Sequence, residues 1–227
     1  MAKPYAVNPF TTDDLIACYR RGVFPMAESR DDDGFFIVDP EQRCILPLDR
    51  FHVPKRLART LRRDQFRFTV DADFACVVDA CAEPSENRED TWINPDIRAL
   101  YIDLHQRGLA HSVETRSGDD LVGGLYGVAI GGAFFGESMF SRATDASKAA
   151  LVHLAARLRF GGFKLLDAQF ITPHLEQFGA QVLPRRIFHA LLGAALETRG
   201  DFDAMAQMSG AEMLAVLLPP LRKGEGD

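Results

Sequence analysis

From His111 to Phe140 the chain reads as three apolar runs separated by short turn-forming stretches. This succession constrains the fold more than any other feature. His111–Thr115, Leu121–Ile130 and Ala133–Phe140 have strand composition, and Ser117–Asp120 and Gly131–Gly132 supply the turns. A helix must follow, because Leu151, Leu154, Ala155 and Leu158 repeat at helical spacing until Gly161–Gly162 stops them. Then come a strand over Phe163–Gln169, a short helix capped by Thr172 and stopped at Gly179, a strand over Gln181–Leu183 and a helix from Pro184 to Glu197. A meander followed by alternating helices and strands predicts an α+β fold, with a mostly antiparallel mixed sheet under packed helices.

The first half is less regular. Thr12 is placed to cap a helix that ends at Gly22, and Pro54 opens a short basic helix reaching Arg63. Phe66–Val70 suits a strand and Ala72–Ala82 a helix, and Asn94 and Pro95 begin a helix that ends at Gly108. Glu83–Asp90 is polar enough for a linker. These breaks divide the chain into a small N-terminal α/β domain (1–85), a second domain (86–200) and a C-terminal tail (201–227) with weak helical character. At 227 residues the chain can bury a full core without disulfide or metal staples.

Several classes of function are excluded. The chain has no apolar run long enough to span a membrane, and its N-terminus has no signal-peptide stretch, so the cytoplasm is the expected compartment. Four irregularly spaced cysteines read as reduced thiols, and no metal-ligand spacing occurs. A Walker loop is absent. Gly123, Gly124 and Gly127 interrupt a strand instead of opening a helix, which removes the dinucleotide reading. Gly136-Glu137-Ser138 starts like a nucleophile elbow but lacks its closing glycine.

Three clusters remain. Residues 54–67 carry six cations against Asp64, a local +5 in a chain of net charge −6. Lys55, Arg56, Arg59, Arg62 and Arg63 fall on one side of the helix with Leu57 and Leu61 opposite, which suits either a solvated face or an anionic partner such as a phosphate backbone. Phe134–Ser141 surrounds Glu137 with large apolar side chains; the carboxylate sits either at a sheet edge or in a site. Alternation puts Phe135, Glu137 and Met139 on one face, unless a bulge at Gly136 shifts the register. Asp167 and Gln169 share a strand face at the end of an apolar run, as a surface pair or as site residues.

Taken in order, eight stretches resemble the bacterial leucyl/phenylalanyl-tRNA–protein transferases. They are Tyr19–Pro25, Thr91–Ile93, His111–Glu114, Leu121–Val128, Phe135–Ser141, Ala146–Lys148, Leu166–Gln169 and Gly179–Arg186. The resemblance implies transfer of Leu, Phe or Met from aminoacyl-tRNA to the N-terminal Arg or Lys of a protein, creating a degradation signal. It also implies no metal or cofactor, and a C-terminal domain like the GCN5-related acyltransferases. By the same resemblance Asp167 and Gln169 form the catalytic pair, and Glu137 the acceptor-side carboxylate. Trp92, Leu125, Phe134, Ser138, Met139, Leu166 and Ala168 line the amino-acid pocket, and the basic helix holds the tRNA. Met26 stands where the family usually carries Trp, Pro47 where members can carry a pocket Trp, and Ala168 where Cys is common.

The aminoacyl ester is already activated, so alignment of amine and ester is the main requirement. A carboxamide is a poor base, and Gln169 is read as an acceptor that orients the amine, polarised by Asp167. The chain is expected to act as a monomer. The competing readings are a non-catalytic tRNA-binding module, or a related aminoacyl or acyl transferase acting on another amine.

Overall fold

Side chains of the central sheet alternate between two apolar clusters, one on each face, and this places helices on both sides. The computed structural model describes residues 10–32, 34–84 and 90–218. In chain order the elements are α1 (Thr12–Arg20), β1 (Phe24–Met26), β2 (Phe36–Val38), β3 (Gln42–Ile45), α2 (Lys55–Leu61), β4 (Arg67–Val70) and α3 (Phe74–Ala82). They continue with α4 (Pro95–Gln106), β5 (Ala110–Ser117), β6 (Asp120–Ile130), β7 (Ala133–Ser141), α5 (Ala146–Phe160) and β8 (Leu165–Gln169). The last are α6 (Pro173–Glu176), β9 (Gln181–Pro184), α7 (Arg185–Leu196) and α8 (Gly210–Leu217).

Seven strands form one sheet in the order β4-β5-β6-β7-β8-β3-β9. Every neighbouring pair is antiparallel except β7 and β8, which run parallel because α5 crosses over between them. The α+β expectation with a mostly antiparallel mixed sheet therefore holds. The expected boundary at 85/86 and most of the expected linker lie outside the described residues, as do residues 219–227 of the tail. Strands from both sides of that boundary share the sheet, since β3 and β4 pair with β8 and β5.

The first helix is capped one residue earlier than the sequence suggested. The Thr11 hydroxyl accepts from the Asp14 N–H at 3.2 Å, and the Asp14 carboxylate accepts from the Thr11 N–H at 2.9 Å. This reciprocal box needs an acid three residues after the cap, which Thr11 has and Thr12 lacks. The α2 helix behaves as its pattern requires: Leu57, Ala58 and Leu61 are buried, while Lys55, Arg56, Arg59, Arg62 and Arg63 are exposed. The segment's single acid, Asp64, accepts from the Gly210 N–H at 2.8 Å and so ties α2 to α8.

Two bulges shape the centre of the sheet. Tyr126 pairs with Ser138 and Gly127 with Gly136, which leaves Glu137 as an extra residue in β7. The shift turns Phe135 and Phe140 to one cluster and Phe134 and Met139 to the other. Simple alternation across Glu137 fails for this reason. Between β3 and β8, Ile45 pairs with Asp167 and Cys44 with Gln169, leaving Ala168 unpaired. A Cβ on Gly127 would lie 2.2 Å from the Phe135 carbonyl oxygen, so only glycine fits opposite the first bulge.

Candidate active site

The bulged residues Glu137 and Ala168 both line a cavity of about 500 Å³. Its wall also includes Trp92, Leu125, Ser138, Met139, Leu166, Asp167 and Gln169. Nine of the ten residues expected at the catalytic centre and amino-acid pocket thus share one cavity. Phe134 is the exception. It is fully buried, stacked on Phe202 at a centroid distance of 5.6 Å and edge-on to Phe163 at 6.5 Å, so it fills the core instead of facing a ligand. Met26, Leu46, Leu151, Leu154 and Leu175 add to the apolar side, and Pro47 is not in the lining.

Glu137 is held by three donors. Tyr19 Oη donates to Oε1 at 2.7 Å, Tyr101 Oη to Oε2 at 2.8 Å and Gln169 Nε2 to Oε1 at 3.0 Å. The two phenol oxygens are themselves 2.6 Å apart. With the carboxylate ionised, two phenolic protons must serve three short oxygen contacts; a carboxyl proton would give each contact its own hydrogen. Burial pushes the Glu137 carboxyl up to about 7, against the opposing pull of these three hydrogen bonds, and the charge of Asp167 adds to the rise. Burial, reinforced by Glu137, also raises both tyrosines well above their ordinary range, so they remain donors.

Asp167 does not polarise the Gln169 carboxamide, contrary to expectation. It is completely buried, and Arg43 grips it with a fork: Nε to Oδ1 at 2.9 Å and Nη2 to Oδ2 at 2.6 Å. Its Oδ1 also accepts from the Gln169 backbone N–H at 2.9 Å. Gln169 sits at φ +61°, in the left-handed region that non-glycine residues rarely occupy. With Nε2 committed to Glu137, its carbonyl oxygen Oε1 is the atom able to accept from an incoming amine.

The sequence reading missed Tyr19, Tyr101 and Arg43 as site residues. A lone arginine heading the apolar run Arg43–Leu46 was the available signal, because a buried cation demands a buried partner. The arrangement sets a mostly apolar cavity beside the Glu137 carboxyl and the Gln169 carboxamide, room suited to an apolar side chain. Among the described residues, no group of three or more His, Cys, Asp or Glu could hold a metal ion, and no helix is long and apolar enough to cross a membrane.

The family model described as leucyl/phenylalanyl-tRNA protein transferase matches residues 45–193, and the model for that protein's N-terminal domain matches residues 8–40. A leucyl/phenylalanyl-tRNA–protein transferase of Hyphomonas neptunium is 63% identical over 193 residues, covering 85% of this chain and 75% of the relative. One of Caulobacter vibrioides is 59% identical over 199 residues, covering 88% of this chain and 92% of the relative. Among solved structures, the L-PGS of Bacillus licheniformis aligns with a TM-score of 0.41 at 13% identity, over 82% of this chain and 77% of the other.

Proposed function

The chain belongs to the leucyl/phenylalanyl-tRNA protein transferase family, and from that premise we propose that it transfers a leucyl, phenylalanyl or methionyl group from aminoacyl-tRNA to the N-terminal Arg or Lys of an acceptor protein. The observation that carries this reading is the cavity that sets an apolar wall against the Glu137–Gln169 pair. The donor's side chain fills the space between Trp92, Leu125, Met139, Leu166 and Ala168. The cationic side chain of the acceptor's N-terminal Arg or Lys approaches Glu137.

The acceptor α-amine has an ordinary pKa of about 7.7–8.0, so a useful fraction is neutral near pH 7 without a strong base. Gln169 Oε1 accepts from that amine and orients its lone pair toward the ester carbonyl. Attack forms the C–N bond, the 3′-oxygen of the tRNA ribose leaves with a proton, and the amine loses one. Catalysis on this account is mainly alignment. The product carries a new N-terminal Leu, Phe or Met, an N-terminal degradation signal.

Lys55, Arg56, Arg59, Arg62 and Arg63 form the exposed cationic face that meets the tRNA phosphates. On this reading residues 1–85 carry the tRNA-facing helix and lend Tyr19, Met26, Arg43 and Leu46 to the site, while 86–200 supply the part like the GCN5-related acyltransferases, a reading supported by the meander, the α5 crossover and the cavity beside the parallel β7–β8 pair. The chain on this reading acts as a monomer, and its need for aminoacyl-tRNA suits the cytoplasm.

The test is transfer of label from charged Phe-tRNA and Leu-tRNA to a protein beginning with Arg, scored as RNase-resistant, acid-precipitable counts, with an Asp-started protein as control. Counts on the Arg acceptor alone support the proposal. Their absence, with protein folded and tRNA bound, favours a non-catalytic tRNA-binding module.

A further inference from the structure

We propose that Arg43 is a positioning residue for the transfer reaction: acting through Asp167, it holds the left-handed turn at Gln169 that aims the carboxamide at Glu137. The inference rests on the function proposed above and adds a residue to its machinery.

Four observations converge on Arg43. Its side chain is 1% exposed, on a short strand beside the one that carries the site. Its guanidinium lies over the Phe24 ring at 4.5 Å and the Phe188 ring at 4.6 Å, which fixes its plane. Its fork takes both oxygens of Asp167, so the carboxylate cannot rotate. The oxygen Oδ1 that faces Nε also accepts the N–H of Gln169, at the one site residue with positive φ. The chain of contacts then runs through the Gln169 side chain to Glu137 and its two tyrosines.

A purely stabilising role explains this poorly. A buried ion pair is weak support for a fold, because apolar residues of similar volume commonly replace it without loss. Here the pair also leaves Arg43 Nη1 without a hydrogen-bond partner among the described residues. What the pair supplies, and an apolar pair would not, is an acceptor fixed beneath the Gln169 N–H. The Asp167 oxygens are occupied in this role, by the Arg43 fork and the Gln169 N–H.

The experiment compares wild type with two variants, at a temperature where circular dichroism shows each folded, in the label-transfer assay with charged Phe-tRNA and an Arg-started acceptor. Arg43→Lys keeps the charge but offers a point donor in place of the fork. The double variant R43M/D167L removes both charges and keeps the volume apolar, so it folds even if a single deletion does not. Misplacement of Gln169 by a fraction of an ångström is expected to lower kcat about 10–100-fold in both, with the KM values for tRNA and acceptor within about threefold of wild type. Wild-type kcat in Arg43→Lys or in the folded double variant would overturn the proposal, as would a loss confined to melting temperature. If wild type itself transfers no label, the function proposed above fails instead.

Discussion

Gln169 Nε2 and Tyr19 Oη share a single acceptor, Oε1 of Glu137, at 3.0 and 2.7 Å. The carboxamide and the carboxyl are therefore one unit, and a change at either alters what the other presents. Replacing Glu137 by Gln substitutes a donor for one oxygen and removes the negative charge. The expected result is a KM for Arg-started acceptors raised at least about tenfold, the scale of one lost charge-assisted hydrogen bond, with the KM for aminoacyl-tRNA unchanged. Steady-state kinetics with each substrate varied in turn checks this; an unchanged acceptor KM removes Glu137 from acceptor recognition.

The same group predicts a pH dependence. Burial raises the Glu137 carboxyl to about 7, so between the ordinary carboxylate range and pH 7 the folded chain holds a proton that the unfolded chain has lost. Stability from this group is thus full at low pH, falls as pH rises through that window and is lowest above 7. The melting temperature of Glu137→Gln relative to wild type should climb from pH 5 to pH 8. Acceptor binding follows the opposite trend: the wild-type acceptor KM should fall as pH rises through about 7 and Glu137 ionises, and the variant should lack that limb. A flat difference in melting temperature across the range would show that Glu137 titrates normally.

The second half of the fold was legible because its signals are local. Hairpin turns at Ser117–Asp120 and Gly131–Gly132, and the Leu151–Leu158 periodicity, depend only on neighbouring residues, and each element appeared where expected. The site was legible in part. The pocket residues come from stretches whose order matched a family, but Tyr19, Tyr101 and Arg43 act through contacts 36 to 124 residues apart in sequence. Nothing local distinguishes a tyrosine that clamps a carboxylate from one that fills a core. Phe134, expected in the pocket from the resemblance, lies on the same sheet face as the lining residues Leu125, Met139 and Leu166 but packs deeper, against Phe163 and Phe202, and depth beneath a cavity leaves no trace in a strand's sequence.

Phe134 and Ala168 separate core from pocket. Phe134→Ala is expected to cost about 3–5 kcal/mol, lowering the melting temperature by roughly 6–20 °C, while the preference between Phe-tRNA and Leu-tRNA stays as in wild type. Ala168→Phe should do the reverse. It fills part of the cavity, leaves stability nearly intact and lowers kcat/KM for Phe-tRNA relative to Leu-tRNA by about tenfold or more. Thermal melts and competition between the two charged tRNAs test both. A changed donor preference in folded Phe134→Ala would return that residue to the pocket.

The cationic face of α2 predicts salt-dependent binding, and α8 predicts how that face is held. Arg59 and Arg62 are exposed and opposite the buried Leu57 and Leu61, so R59A/R62A should leave the fold unchanged. If each contacts one phosphate, the slope of log K against log salt falls by about 1 per residue removed, and affinity drops for charged and uncharged tRNA alike. Gly210 is where α8 touches α2: a Cβ there would lie 2.1 Å from the Leu61 carbonyl oxygen, and its N–H donates to Asp64 at 2.8 Å. Gly210→Val must therefore push the two helices apart. The expected outcome is a lower melting temperature together with weaker tRNA binding, although no cation has been removed. The salt slope should stay near wild type in Gly210→Val if the phosphate contacts survive at a displaced helix. Filter binding of tRNA between 50 and 200 mM salt, on wild type and both variants, distinguishes these effects; identical slopes in R59A/R62A and wild type would place the tRNA on another surface.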